Sequence, residues 1–188
     1  MAIANSQQSI PDEVGKALQV SAYNRAISGA SFYGVIDDAE LINVKDQYEP
    51  SNLDWVLMSA SGNGVNDKCN CNVCGSVING IISSDATTGE LPNWVNQVKQ
   101  NGYKMVFVMY PQILTDAEYG FNQCGEEFSE AELWIKLVGC KHYDFWFVSA
   151  LDVVPTDDKS YFDDDLVHPS TKSTEAIGQY VAETIQSN

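Results

Sequence analysis

The chain has 188 residues, with 26 Asp and Glu against 10 Lys and Arg, and a formal net charge of −16. This balance argues against a nucleic-acid partner, because binding phosphates needs clustered Lys and Arg, and equally against an anionic membrane surface. Hydrophobic residues make up 44% of the chain and charged residues only 19%, a composition that supports a buried core rather than disorder. No apolar run reaches the roughly 18 residues that a membrane-spanning helix needs. We therefore expect one globular domain over residues 1–188.

The predicted secondary structure alternates between helices and strands. Ser9 is a candidate helix N-cap followed by Pro11, and both are typical of a helix start. Short apolar runs predict buried strands, and amphipathic spacing predicts helices. The predicted elements are a helix over 9–18, a strand over 20–27, a strand over 54–60, helices over 75–83 and 91–100, a strand over 104–110, a helix over 130–138, a strand over 144–149 and a helix over 171–186. Nearly continuous apolar strands that alternate with helices predict a parallel sheet covered on both faces.

Glycine and amide groups follow two of the predicted strands, at the end where such sheets bind ligands. Gly29 follows the strand over 20–27, and Asn63 follows the strand over 54–60, between Gly62 and Gly64. The backbone N–H of Gly29 and the side-chain amide of Asn63 could together stabilise an oxyanion during acyl transfer. The alternative is that these glycines serve turn geometry alone.

A carboxylate and an imidazole lie three residues apart in the loop after the last predicted strand. His168 is one of two histidines in the chain, and Asp165 precedes it in the segment Asp-Leu-Val-His. Asp165 could accept the Nδ1 proton of His168, which would leave Nε2 free to act as a base. The alternative is a surface histidine among solvated acids such as Asp163 and Asp164.

These segments resemble the SGNH hydrolases, the superfamily of GDSL-type esterases. Residues 24–30 resemble the second block of that family, residues 54–63 the third and residues 165–170 the fifth. The resemblance implies a flavodoxin-like, three-layer α/β fold with a parallel sheet of order 2-1-3-4-5. It also implies ester hydrolysis through an acyl-serine, without a metal or organic cofactor. In this interpretation Gly29 and Asn63 hold the oxyanion, Asp165 is the acid and His168 is the base.

The third block has a rival match at Asn66-Asp67, because Asn-Asp is the usual pair there. We favour Asn63, which directly follows Gly62 at the expected distance from the strand. Gly64 then stands where the family usually has Asp.

The first block is degenerate, because the chain contains no Gly-Asp-Ser. The nearest match is Ala4-Asn5-Ser6, which a short strand from Met1 would precede. A second alignment would put the nucleophile upstream of Met1 and make the chain a truncated hydrolase. Strand one of a 2-1-3-4-5 sheet is central, however, and its loss would leave backbone groups unpaired in the core. We therefore predict Ser6 as the nucleophile and Ser9 as a helix cap.

Four cysteines are predicted to form disulfides, and Cys140 is predicted to be free. The four are Cys69, Cys71, Cys74 and Cys124, and all follow strands, so they should lie at the carboxyl end of the sheet, whereas Cys140 precedes a strand. Four cysteines allow three pairings, and the sequence does not choose among them. Zinc binding by these four is the alternative, but their spacing is unlike the common paired C-x-x-C sites. Disulfides in an acidic chain indicate a periplasmic or secreted protein whose leader is absent from this chain.

The leading hypothesis is a serine esterase that acts on short-chain acyl esters, of a small molecule or of acetyl groups on carbohydrate. The alternatives are a non-catalytic binding domain on the same scaffold, an N-terminally truncated hydrolase, and a metal-binding module built on the cysteines. The metal-binding alternative explains none of Gly29, Asn63 or His168. The oligomeric state is not indicated by the sequence.

Overall fold

The computed structural model describes residues 9–32, 43–50, 52–60, 62–69, 72–109, 111 and 124–188. The α-helices within these residues are α1 (Ile10–Leu18), α2 (Gly62–Cys69), α3 (Gly75–Ile81), α4 (Glu90–Gln100), α5 (Gly125–Lys141) and α6 (Thr171–Gln186). The β-strands are β1 (Trp55–Met58), β2 (Lys104–Met109) and β3 (Phe145–Ser149), and short 3-10 helices span Val44–Gln47, Ala150–Asp152 and Lys159–Tyr161. The predicted first strand, with Ser6, lies outside the described residues, and so does Cys71.

The three strands form a parallel sheet in the order β1-β2-β3. Trp55 of β1 pairs with Lys104 of β2, and Met105 of β2 pairs with Phe145 of β3. The central strand β2 has five of its six residues buried, because helices cover both of its faces. The predicted α/β class is confirmed, and the three strands follow one another as the third, fourth and fifth strands of the expected order do.

Side chains of β2 alternate between two hydrophobic clusters. Met105 and Phe107 belong to a cluster with the buried faces of α3, α4 and α5, whereas Val106 and Val108 belong to one with α1 and α6. Because successive side chains of a strand point to opposite faces, the two clusters sandwich the sheet. Each fully buried Val, Ile, Leu or Phe contributes about 1.5–3 kcal/mol to this arrangement. The result is a three-layer fold with the sheet in the middle.

The helices α1 and α6 pack against each other closely on one face of the sheet. Ile10 and Val14 of α1 and Ile177 of α6 are buried there together. Gly178 permits the approach, because a Cβ at that position would lie only 2.5 Å from the Cβ of Glu13. The first turn of α1 therefore packs directly against α6.

The predicted strand over 20–27 is wrong. Residues 21–27 belong to no strand, and Val20, Tyr23 and Ile27 are 59%, 74% and 45% exposed. A strand inside a parallel sheet must be apolar on both faces. Polar residues such as Asn24 and Arg25 interrupt this segment too often to meet that requirement.

The glycines that flank Asn63 lie in a helix and not in a turn, because α2 begins at Gly62. Glycine and asparagine are poor helix formers. Val65, however, is fully buried in the core, so packing overrides the local propensity.

Among the described helices, none combines the length and the apolar character needed to cross a membrane.

Candidate active site

Asp165 and His168 form a hydrogen-bonded pair in the loop between β3 and α6. The Nδ1 atom of His168 lies 2.5 Å from the Oδ2 atom of Asp165. The other carboxylate oxygen, Oδ1, accepts the backbone N–H groups of Val167 and His168, both at 2.9 Å. Within the part of the chain that the structure describes, Nε2 of His168 has no hydrogen-bond partner, and the side chain is 45% exposed. In this geometry the carboxylate favours the Nδ1–H tautomer and leaves Nε2 available as a proton acceptor.

Backbone pairing fixes the two ends of the loop. Phe162 and Pro169 form an antiparallel bridge, and the N–H of Asp163 donates to the carbonyl of His168 at 2.8 Å. Directly after the bridge, the Ser170 side chain caps the first turn of α6. His168 therefore stands two residues before the cap of a helix that is packed into the core.

Apolar contacts fix the middle of the loop. Leu166 contacts both hydrophobic clusters, and Val167 contacts the cluster of α3, α4 and α5. Leu166 also has a φ of 54°, a left-handed conformation that a branched residue adopts only when its surroundings enforce it. Packing on the core therefore holds the turn that brings Asp165 beneath His168.

The pKa values of two acids in this loop, Asp163 and Asp165, shift in opposite directions. Burial disfavours the ionised form of Asp165, but hydrogen bonds from the His168 backbone, the His168 ring and the Val167 backbone outweigh it and lower the pKa from 3.8 to about 2. Burial raises the pKa of Asp163, and repulsion from Asp165 adds to the rise. The Asp165 carboxylate therefore stays ionised beside the imidazole down to a lower pH than an ordinary aspartate does.

Gly29 occupies a turn whose conformation favours glycine. The N–H of Ala30 donates to the carbonyl of Ile27 at 3.2 Å, and Gly29 has a φ of 79°. A β-turn of this kind requires a positive φ at its third residue. Gly29 is exposed, and its own N–H has no hydrogen-bond partner among the residues described.

Asn63 lies in the first turn of α2 and reaches the turn of Gly29. Its Nδ2 atom donates to the carbonyl of Ala30 at 3.5 Å, and the side chain is partly buried. A side-chain amide carries two N–H bonds, so one remains available for a ligand. The structure therefore brings Asn63 and the Gly29 turn together. Asn66 and Asp67, the rival match to the third block, lie further along the same helix.

The described residues form two halves of a candidate site, Gly29 with Asn63 and Asp165 with His168. Topology puts both at the carboxyl end of the sheet, since Asn63 follows β1 and the loop of His168 follows β3. No hydrogen bond among the described residues joins one half to the other. Surface cavities of about 370 and 520 Å³ lie elsewhere, along α1 and between α1 and α6. These cavities are lined by none of Gly29, Asn63, Asp165 and His168.

Ser9 serves as a helix cap. Its hydroxyl accepts the backbone N–H of Asp12 at 3.3 Å, and the Asp12 carboxylate accepts the backbone N–H of Ser9 at 2.9 Å. The hydroxyl also donates to the same carboxylate at 2.6 Å. The backbone pair is a capping box, and it confirms the helix cap that the sequence predicts at Ser9. The hydroxyl is thus occupied within the helix, whereas Ser6 falls outside the described residues.

Among the described residues, three of the cysteines predicted to form disulfides are disulfide-bonded. Cys69 is joined to Cys74, and Cys124, which is fully buried, is also disulfide-bonded. Cys140 is a free and exposed thiol. Zinc binds thiolates, so the Cys69–Cys74 bond removes two of the four ligands that the zinc alternative needs. The described residues contain no cluster of three or more His, Cys, Asp or Glu that could hold a metal ion.

Sequence reasoning missed the backbone groups that hold the candidate residues. The carbonyl of Ala30 orients Asn63, and the N–H of Val167 helps to hold Asp165. Every residue has these groups, so no residue type marks them. Only their positions could have indicated them, because Ala30 directly follows Gly29 and Val167 comes two residues after Asp165.

Comparison with known proteins shows similarity at the level of the fold. No family model matches the sequence, and no curated protein matches it either. The inhibitor-bound structure of an aryl esterase from M. smegmatis aligns with a TM-score of 0.58, covering 100% of this chain and 88% of that chain at 13% identity. Another solved structure covers 77% of this chain with a TM-score of 0.42 at 14% identity, a score too low to carry an argument. The chain therefore shares its overall α/β fold with the aryl esterase.

Proposed function

We propose that this protein is a carboxylic-ester hydrolase of the SGNH type, acting on short-chain acyl esters through an acyl-serine intermediate. The observation that carries the proposal is the contact of 2.5 Å between His168 Nδ1 and Asp165 Oδ2. Together with an Nε2 atom that has no partner among the described residues, it provides a base in the tautomer that serine activation requires. Similarity of fold to an aryl esterase supports the same reaction class.

The second half of the site would stabilise negative charge. Gly29 presents a backbone N–H from an exposed turn, and Asn63 presents an amide N–H from the start of α2. The bond from Asn63 to the Ala30 carbonyl holds the amide at this turn. Donors fixed before the reaction stabilise an oxyanion without reorganising, which is why each is worth about 2.7–4 kcal/mol of barrier in acyl transfer.

The proposed reaction proceeds in two displacements. The Oγ atom of Ser6 attacks the ester carbonyl carbon while Nε2 of His168 accepts the Oγ proton, and Asp165 stabilises the imidazolium that results. The bond to the alcohol oxygen then breaks, and His168 returns the proton to that oxygen. Water, deprotonated by the same nitrogen, attacks the acyl carbon. The bond to Oγ of Ser6 then breaks, His168 returns the proton to Oγ, and the acid is released. No step needs a metal or organic cofactor. The assignment of Ser6 rests on the sequence alone.

We expect the substrates to be short-chain acyl esters, including acetyl groups on carbohydrate. We also infer that the protein works in an oxidising compartment, periplasmic or extracellular, since structural disulfides such as Cys69–Cys74 persist there.

Hydrolysis of p-nitrophenyl acetate by the wild-type protein and by a His168→Ala variant tests the proposal. A positioned general base contributes about 10²–10⁴-fold to the rate, so His168→Ala should lose that much kcat. His142→Ala is the matched control, because the chain has only these two histidines and His142 precedes β3 at the opposite end of the sheet. Absence of turnover in the folded wild-type protein would instead favour a non-catalytic binding domain on this scaffold.

A further inference from the structure

The helix α2, which carries Asn63, has little stability of its own. It has eight residues, with the sequence Gly-Asn-Gly-Val-Asn-Asp-Lys-Cys. Five of these residues are Gly, Asn or Asp, all poor helix formers. Isolated helices shorter than about 12 residues are marginal in water even with good helix formers. The helical conformation of α2 must therefore come from its contacts with the rest of the protein.

Contacts at the start, in the middle and at the end of α2 hold it in place. At its start, the amide of Asn63 bonds to the Ala30 carbonyl at 3.5 Å, which is long for a hydrogen bond. In its middle, Val65 is fully buried. At its end, Cys69 is covalently bonded to Cys74, the residue that precedes α3.

The disulfide gives α2 a firm attachment, because α3 is itself anchored in the core. Ile78 and Ile81 of α3 are 1% and 3% exposed, in the same cluster as Val65. Cys74 is 2% exposed, so the attachment point is also buried. The end of α2 is thus fixed relative to the sheet, and the position of its first turn follows from that.

We infer that the Cys69–Cys74 disulfide is a positioning device for Asn63, and that reducing it lowers ester hydrolysis by releasing the oxyanion donor. The kinetic consequence rests on the proposed function. An external dithiol supplies two electrons and two protons, the S–S bond becomes two thiols, and the dithiol is oxidised to its own disulfide. The released α2 keeps the buried Val65 and the long bond of Asn63. It loses its covalent attachment to the residue before α3, and the amide loses its fixed orientation. Cys69 and Cys74 act through Asn63 and do not touch the substrate.

A double-mutant cycle tests this inference with p-nitrophenyl acetate as the probe. The variant Cys69→Ser/Cys74→Ser removes this disulfide only, and Cys140→Ser is the matched control because Cys140 is free and exposed. In the wild-type background, the double variant should lower kcat by at least about tenfold, up to the roughly 10²–10³-fold that losing one oxyanion donor costs. KM should change less than kcat. In an Asn63→Ala background, the same pair of substitutions should change kcat by less than about twofold, because the donor is already gone.

Hydrogen exchange of the backbone amides provides a readout that does not need turnover. Removal of the disulfide should speed exchange in residues 62–69 and leave residues 171–186 protected. Unchanged exchange in residues 62–69 would overturn the inference whatever the activity. An equal loss of kcat with and without Asn63 would overturn it too, since the disulfide would then act by another route. Absence of turnover in the wild-type protein would count against the proposed function, and the exchange result would still decide whether the disulfide positions α2.

Discussion

Replacing Asp165 by Asn changes one atom at the contact that carries the proposal. The oxygen that accepts the backbone N–H groups of Val167 and His168 at 2.9 Å can be kept, so the loop should retain its shape. The atom that lies 2.5 Å from His168 Nδ1 becomes an NH₂ group, which donates instead of accepting. The imidazole then places its proton on Nε2, and this nitrogen cannot take a proton from the nucleophile.

The expected loss in kcat lies between about 10² and 10⁴-fold. The upper value is that of the same substitution in a buried Ser-His-Asp triad, about 10⁴. The Asp165 side chain is 49% exposed and that of His168 is 45% exposed, so water can restore part of the correct tautomer and the loss should be smaller. In terms of the barrier the range is about 2.7–5.4 kcal/mol. Urea unfolding should show a folded protein with an unchanged m-value.

Hydrolysis of p-nitrophenyl acetate measures this loss, and the neighbouring acids provide the controls. Asp163→Asn and Asp164→Asn should retain most of the wild-type kcat, because neither side chain makes the contact with Nδ1. If Asp163→Asn were as damaging as Asp165→Asn, the acid would be assigned to the wrong residue. A kcat for Asp165→Asn close to that of the wild-type protein would refute the role of the pair.

Three further predictions concern pH, packing and thiols. The pKa of Asp165 is lowered from 3.8 to about 2, so its ionised form stabilises the fold above pH 3.8, and this stabilisation is lost as the pH falls through 2. The difference in unfolding free energy between the wild-type protein and Asp165→Asn should therefore shrink over that range, and a difference that grew on acidification would contradict the prediction. Gly178→Ala should cost about 1–3 kcal/mol in urea unfolding, because its Cβ would lie 2.5 Å from that of Glu13, whereas Gly139→Ala, with neighbours no closer than 3.6 Å, should not destabilise. Alkylation of the unreduced, denatured protein should modify Cys140 and no other cysteine, and peptide mapping that placed Cys140 in a bridge would refute this.

Elements with a strong local pattern could be predicted from the sequence closely. The helix predicted over 171–186 matches α6 at both ends, because Ser170 caps it and its apolar residues share one face. The strand predicted over 104–110 is present over Lys104–Met109, and residue 110 lies outside the described residues. Elements that depend on distant contacts could not be predicted. The helix α2 forms around the buried side chain of Val65 in spite of its composition, and nothing in its local sequence shows that burial.

The same distinction holds for the candidate site, in which local contacts could be predicted from the sequence and distant contacts could not. Asp165 and His168 are three residues apart, so a single turn brings them into contact, and the spacing alone predicts it. The meeting of Asn63 with Ala30 joins segments 33 residues apart through a backbone carbonyl, which no residue type reveals. The role of Ser6 depends on a strand that is predicted from the sequence and falls outside the described residues, so it stays a prediction.

Labelling with a fluorophosphonate probe, followed by peptide mapping, tests the central claim most directly. The probe reacts with a serine that a neighbouring base activates. We predict that the label falls on Ser6 in the wild-type protein, that Ser6→Ala abolishes both labelling and turnover of p-nitrophenyl acetate, and that the label also disappears in His168→Ala. A folded wild-type protein with no label and no turnover, or a label on another serine that persists without His168, would contradict the account.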